Sequence, residues 1–165
     1  MATTEATLYD VKNGAAWITL NRPENRNALS SVLVLELYEH LLVANDDPDV
    51  RCIVITGTDP AFCAGADLKS PPGASIEGRK SVPYPRVLTQ ILESDKPVIA
   101  AVNGAAFAGG LGLVGAADIV IAREDVQFSF SEVRIGGDSS GHFGRVYPQT
   151  WNTPRDETVH HWGTV

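Results

Sequence analysis

The chain has 165 residues, 44% of them hydrophobic and 20% charged, the profile of one globular domain rather than a disordered tail or a coiled coil. Thirteen Lys and Arg against twenty Asp and Glu leave a formal charge of -7, which argues against nucleic acid and anionic membrane as partners. Cys52 and Cys63 form neither a CxxC pair nor a disulfide framework, and Met1 to Lys12 lacks the basic start and apolar run of a signal peptide, so a reduced, cytoplasmic setting is expected.

In chain order, two β-prone runs, Leu8 to Lys12 and Ala15 to Leu20, flank Asn13-Gly14, a pair that favours a type I′ hairpin. Ser30 or Ser31 is placed to cap a helix carrying Val34, Leu37, Tyr38 and Leu41 at helical spacing, ending before Asp46-Asp47-Pro48. Cys52 to Gly57 reads as a short buried strand. Ser70 to Pro85, with four prolines and two glycines, predicts a surface loop. Val87, Leu88, Ile91 and Leu92 predict a second helix, followed by strands at Val98 to Val102 and Ile119 to Ala122. Gln127 to Phe130 alternates as a half-exposed strand does. Ile53, Val54, Ile55, Val98, Ile99, Ala101, Val102 and Ile119 to Ile121 are expected in buried strands. The charge-free run from Pro97 to Ala117 is long enough to suggest a membrane span, but Pro97, Asn103 and five glycines divide it into strand, loop and short helix.

Three segments share a form in which a strand enters a loop of small residues that leads toward a helix: Leu20 to Leu29, Ala61 to Lys69, and Asn103 to Gly112. Small residues at a helix start let a ligand reach backbone N–H groups, and the helix dipole adds positive potential there. Two such loops facing one another would make an oxyanion hole. Arg22, Arg26 and Lys69 lie beside these loops, where they could attract a phosphate to an otherwise acidic protein.

The wording of these segments resembles the crotonase, or enoyl-CoA hydratase/isomerase, superfamily. Leu20-Asn21-Arg22-Pro23 followed by Arg26-Asn27-Ala28-Leu29, then Phe62-Cys63-Ala64-Gly65-Ala66-Asp67-Leu68, Ala101-Val102-Asn103-Gly104, and Asp118-Ile119 before Phe128 and Glu132 stand in family order. The resemblance implies an α/β spiral of ββα units and an acyl-CoA thioester as substrate, with no separate cofactor because coenzyme A is part of that substrate. It implies backbone donors at Ala66 and Gly109, and substrate contacts from Arg22, Arg26, Ala64, Ala66, Asp67, Leu68, Lys69 and Gly109. The family's hydratases present two glutamates to the acyl chain. Glu132 stands at one of those positions and Gly112 at the other. Glu132 is therefore the expected proton carrier, in hydration of a 2-enoyl-CoA or in double-bond isomerisation by a single carboxylate.

The resemblance is read over residues 8–136, giving an expected core at 1–136 and a divergent tail at 137–165, with the C-terminal helices that complete the family's acyl pocket and homo-trimer not recognisable. A truncated, poorly active catalyst is one expectation, and an inert remnant that binds only CoA or a partner subunit is the rival. Gly110 to Gly115 fits G-x-G-x-x-G but begins too far beyond its strand for a dinucleotide site. Gly137 to Gly141 fits G-x-S-x-G, with Asp156 and His160 following, but lacks the strand and helix of a nucleophile elbow. His142, His160 and His161 show no ligand spacing, and no metal is expected.

Overall fold

The computed structural model describes residues 5–130. A five-stranded sheet is built from β1 (Thr7–Lys12), β2 (Ala15–Leu20), β3 (Cys52–Gly57), β5 (Val98–Val102) and β7 (Ile119–Ala122), in that spatial order. Only the β1–β2 hairpin is antiparallel. Asn13 and Gly14 both take positive φ, 53° and 77°, as a type I′ turn requires. A second sheet, three short parallel strands, is formed by β4 (Ala61–Cys63), β6 (Ala105–Phe107) and β8 (Phe128–Ser129).

The helices are α1 (Ser31–Asp46), α2 (Tyr84–Leu92) and α3 (Gly109–Ala116). After the opening unit β1, β2, α1, two successive turns of the chain each contribute one strand to the large sheet, one to the small sheet, and then a helix: β3, β4, α2, followed by β5, β6, α3. That recurrence is the ββα spiral expected from the resemblance.

Ser30 caps α1, its hydroxyl accepting from Leu33 N at 3.2 Å. At the other end of α1, Lys96 Nζ donates to the carbonyls of Ala44 (2.7 Å) and Asp47, a cation placed against the negative end of the helix dipole. Leu33, Val34, Leu37 and Leu41 of α1 pack with Ile18, Leu20, Ile53, Ile55, Val98 and Ala100 of the sheet and with Val87 and Ile91 of α2. Full burial of a Leu or Ile side chain contributes on the order of 2 kcal/mol, so this layer carries the fold.

Two readings from sequence are corrected. Ile119, Val120 and Ile121 do form a strand, but it is the sheet's outer one, and they are 49%, 45% and 61% exposed rather than buried. Ile99 and Ala101 are half-buried, because successive residues of a strand face opposite sides of the sheet. The expected loop 70–85 includes the start of α2 at Tyr84. The rest of that segment is fastened to α1 by Arg79, whose guanidinium lies 2.6 Å from Glu39. Among the described residues no helix is long and apolar enough to cross a membrane.

Candidate active site

The three small-residue loops converge, and the first is held by a buried amide. Asn27 is fully buried with φ at 55°, a conformation asparagine tolerates better than most residues. Its Oδ1 accepts from Arg22 N (2.8 Å), and its Nδ2 donates to the carbonyls of Thr58 and Ala61 (2.7 Å each), tying this loop to the β3–β4 connection. The chain then runs beside the second loop as a one-residue parallel bridge between Leu29 and Ala66. Leu29 N donates to Gly65 O at 2.7 Å, and Asp67 N donates to Leu29 O at 3.0 Å. Successive amides alternate in direction along an extended chain, so the N–H of Ala66 points away from Leu29. Among the described residues it has no acceptor.

Gly65, with φ at 94°, is the point of contact with the third loop. A Cβ at residue 65 would lie 2.8 Å from Ala108 Cβ and 3.5 Å from Gly109 N, so only glycine lets the two loops approach this closely. Gly109 opens α3, and an N–H in the first turn of a helix has no partner within the helix. Among the described residues Gly109 N has no acceptor either. Ala108, just before it, sits at φ 48° and ψ -118°, a region ordinarily left to glycine. Such backbone strain costs on the order of 1–3 kcal/mol and concentrates at functional sites. Here it sets the plane of the peptide that carries the Gly109 donor. Two acceptor-free N–H groups thus meet at the start of a helix. Ala66 is exposed and Gly109 half-buried.

Beside the donors, Arg22 and Asp67 pair at 2.7 Å with side chains only 20% and 10% exposed. Arg22 Nη1 also donates to Ala28 O, while Asp67 Oδ1 accepts from Lys69 N at 2.9 Å and, more weakly, from Ser70 N. The Arg22 hydrogen bond, helped by these backbone donors, holds the Asp67 carboxyl below its ordinary range. Arg22 and Asp67 therefore brace the donor loop from behind. Arg26 and Ala64 line a cavity of about 290 Å³ together with Phe107 and Gln127. Leu68 is 88% exposed and Lys69 is also exposed. Burial pushes the Cys63 thiol up to about 12, which makes it a packing group rather than a nucleophile.

Glu132 lies outside the described residues, as do the G-x-S-x-G stretch and the three C-terminal histidines. Asp67 is paired with Arg22 beside Ala66, and Gly65 brings that loop against Ala108 and Gly109, while Ala64 faces the cavity shared with Arg26. Sequence reasoning missed three contributors: the buried amide of Asn27, the strained Ala108, and Tyr84, whose hydroxyl donates to Gly109 O at 2.5 Å. For Tyr84 a signal existed. It begins the i, i+3, i+4, i+7 stripe that continues through Val87, Leu88 and Ile91.

Comparison with known proteins identifies the family. The family described as Enoyl-CoA hydratase/isomerase matches residues 10–151. The mitochondrial enoyl-CoA hydratase of Pongo abelii is 43% identical over 124 residues, 75% of this chain and 43% of the relative. Enoyl-CoA hydratase EchA19 of Mycobacterium tuberculosis is 37% identical over 162 residues, 91% of this chain and 61% of the relative. A crystal structure of an enoyl-CoA hydratase from Mycobacterium avium superimposes with a TM-score of 0.65 at 41% identity, covering 80% of this chain and 53% of that one. The chain thus spans about half the length of the relatives it matches. With the ββα spiral, the paired small-residue loops and a matched span of this extent in agreement, the chain belongs to the enoyl-CoA hydratase/isomerase family.

Proposed function

We propose that the protein adds water across the double bond of a 2-enoyl-CoA, with the thioester oxygen held by the N–H groups of Ala66 and Gly109. The observation that carries this reading is that those two donors meet across Gly65 with no acceptor among the described residues. Negative charge moves onto the thioester oxygen as water attacks the β-carbon, and donors fixed beforehand stabilise that charge without reorganising. Glu132 takes the proton from the attacking water and returns it to the α-carbon of the enolate-like intermediate, so one carboxylate serves both halves of the step. Arg26 and Lys69, exposed beside the donor loops, meet the phosphates of the CoA moiety, while Arg22 acts through its pair with Asp67.

Gly112 favours a second reading. With no carboxylate on α3, Glu132 alone would carry a proton between two carbons of the acyl chain, which is double-bond isomerisation.

Two measurements on the full chain test the proposal. The carbonyl stretch of an isotopically labelled enoyl-CoA should fall on binding, because donated hydrogen bonds weaken the C=O bond. Crotonyl-CoA should be hydrated, and Glu132→Gln should slow that turnover at least ~100-fold while leaving the bound carbonyl stretch in place. A bound stretch equal to that of the free thioester would overturn the donor assignment. Unchanged turnover in Glu132→Gln would remove that residue from the mechanism.

A further inference from the structure

Gly112 is more than a missing carboxylate, because its empty side is already filled. A Cβ at residue 112 would lie 2.9 Å from the Tyr84 hydroxyl oxygen and 3.4 Å from Leu88 Cδ1. The first of these distances is shorter than real Cβ contacts, so no side chain fits at 112 while Tyr84 keeps its place. Tyr84 is buried on the core stripe of α2, and its hydroxyl reaches across to the first turn of α3, donating to Gly109 O. The same ring passes close to the donor residue: a Cβ at Gly109 would lie 3.7 Å from Tyr84 Cε1.

The bond from Tyr84 is not required to satisfy the helix. In the regular ladder of α3 the N–H of Leu113 faces Gly109 O, and the same N–H also serves the Tyr84 oxygen, so the hydroxyl is tied to this turn as donor and as acceptor. What the bond adds is fixation. The peptide that carries the Gly109 N–H is held at its other end, where Ala108 O accepts from Leu111 N at 2.9 Å, but Gly109 has no Cβ to restrict the φ and ψ that join this peptide to the next. A hydroxyl clamped to the Gly109 carbonyl holds that next peptide, so with both flanking peptides restrained the φ and ψ of Gly109 lose their freedom and the N–H keeps its direction. Burial raises the Tyr84 hydroxyl well above the ordinary phenol range, so it keeps its proton and remains a donor at neutral pH.

We infer that Tyr84 is a positioning residue for the Gly109 N–H, and that residue 112 carries no side chain so that the Tyr84 hydroxyl can reach Gly109. The inference rests on the reading of Ala66 and Gly109 as thioester donors, and it adds a reason for the glycine on α3: the space is committed to aiming a donor.

The test is a double-mutant cycle read by the carbonyl stretch of bound, isotopically labelled enoyl-CoA and by turnover. Tyr84→Phe should return the bound stretch part of the way to its free value and lower kcat roughly tenfold, a fraction of the ~10²–10³ lost when a donor is deleted. Its KM should stay within about twofold, since binding of the CoA portion does not depend on this bond. Gly112→Ala should displace the hydroxyl and produce the same loss in the presence of Tyr84. Added to Tyr84→Phe, it should cost little more, because the oxygen it collides with is already gone. Additive losses, or a Tyr84→Phe protein with an unchanged bound stretch and unchanged kcat, would overturn the inference while leaving the donor assignment intact. If the unmodified chain itself shows no shift of the bound carbonyl, the donor assignment fails and this inference falls with it. Should Tyr84→Phe fold poorly, Gly112→Ala decides alone: a bound stretch and kcat unchanged from the unmodified chain refute the inference, and a partial return of the stretch with kcat reduced supports it.

Discussion

Asn27 offers a sharp test of how the donor loops are held, because every polar atom of its side chain is used. Asn27→Ala removes one accepted and two donated hydrogen bonds, leaving Arg22 N, Thr58 O and Ala61 O each short of a partner. At about 1 kcal/mol per bond, with a further ~1 kcal/mol for placing alanine at φ 55°, the variant should lose about 4 kcal/mol of unfolding free energy. In a chain of this length that lowers the unfolding midpoint by roughly 10 °C. Asn27→Asp has nearly the same shape and still accepts from Arg22 N, yet at neutral pH it sets a carboxylate oxygen against two carbonyls. That repulsion raises its folded pKa above the unfolded value, so its deficit is smallest below about pH 4 and grows as pH rises through the folded value. The Asn27→Ala deficit has no such dependence. Denaturant unfolding of all three proteins at about pH 4 and pH 7 provides the measurement. Two outcomes would refute the reasoning: both variants within about 1 kcal/mol of the parent, or an Asn27→Asp deficit identical at the two pH values.

Ala108→Gly should relieve the strain before the donor and raise stability by about 1 kcal/mol, the release of strain exceeding the extra chain entropy that glycine brings to the unfolded state; a lower unfolding midpoint would contradict this account of residue 108. Asp67, held below its ordinary range by Arg22, contributes stability that is present above the unfolded carboxylate value of about 3.9 and is lost as pH falls through the lower folded value. The difference in unfolding free energy between the parent and Asp67→Asn should therefore shrink in that acid window, and a constant difference would show that the ion pair carries none of it.

The legible part of the fold is the part written as pattern. Asn13-Gly14 between two β-prone runs specifies its turn, and Ile53-Val54-Ile55 announces a strand flanked by neighbours on both sides. What Ile119-Val120-Ile121 announces is only that it pairs; apolar content does not reveal that nothing pairs with its far edge among the described residues. The small sheet was not read at β4 and β6, because three-residue strands such as Ala105-Ala106-Phe107 are too short to show alternation. At the site, the loop wording singles out Ala66 and Gly109 as expected donors, but a backbone angle leaves no mark on the sequence. Ala108 is one alanine among many until its φ is known. Asn27 stands within the resembling motif, but nothing in that wording reveals the three side-chain bonds that distinguish it from its neighbours Asn25 and Arg26.

A donor made of main chain also divides the labour between adjacent positions in an unusual way. On the proposed reading the chemistry at residue 66 would belong to the peptide, leaving the exposed side chain free to vary, so substitution there should retune which acyl chains are accepted while leaving the reaction type alone. Proline is the exception, since it takes the hydrogen away. One residue earlier the opposite holds: a single methyl added at Gly65 would collide with Ala108 Cβ and push the third loop away from the second. Variation is thus open at the residue proposed as the donor and closed at the one that only provides clearance.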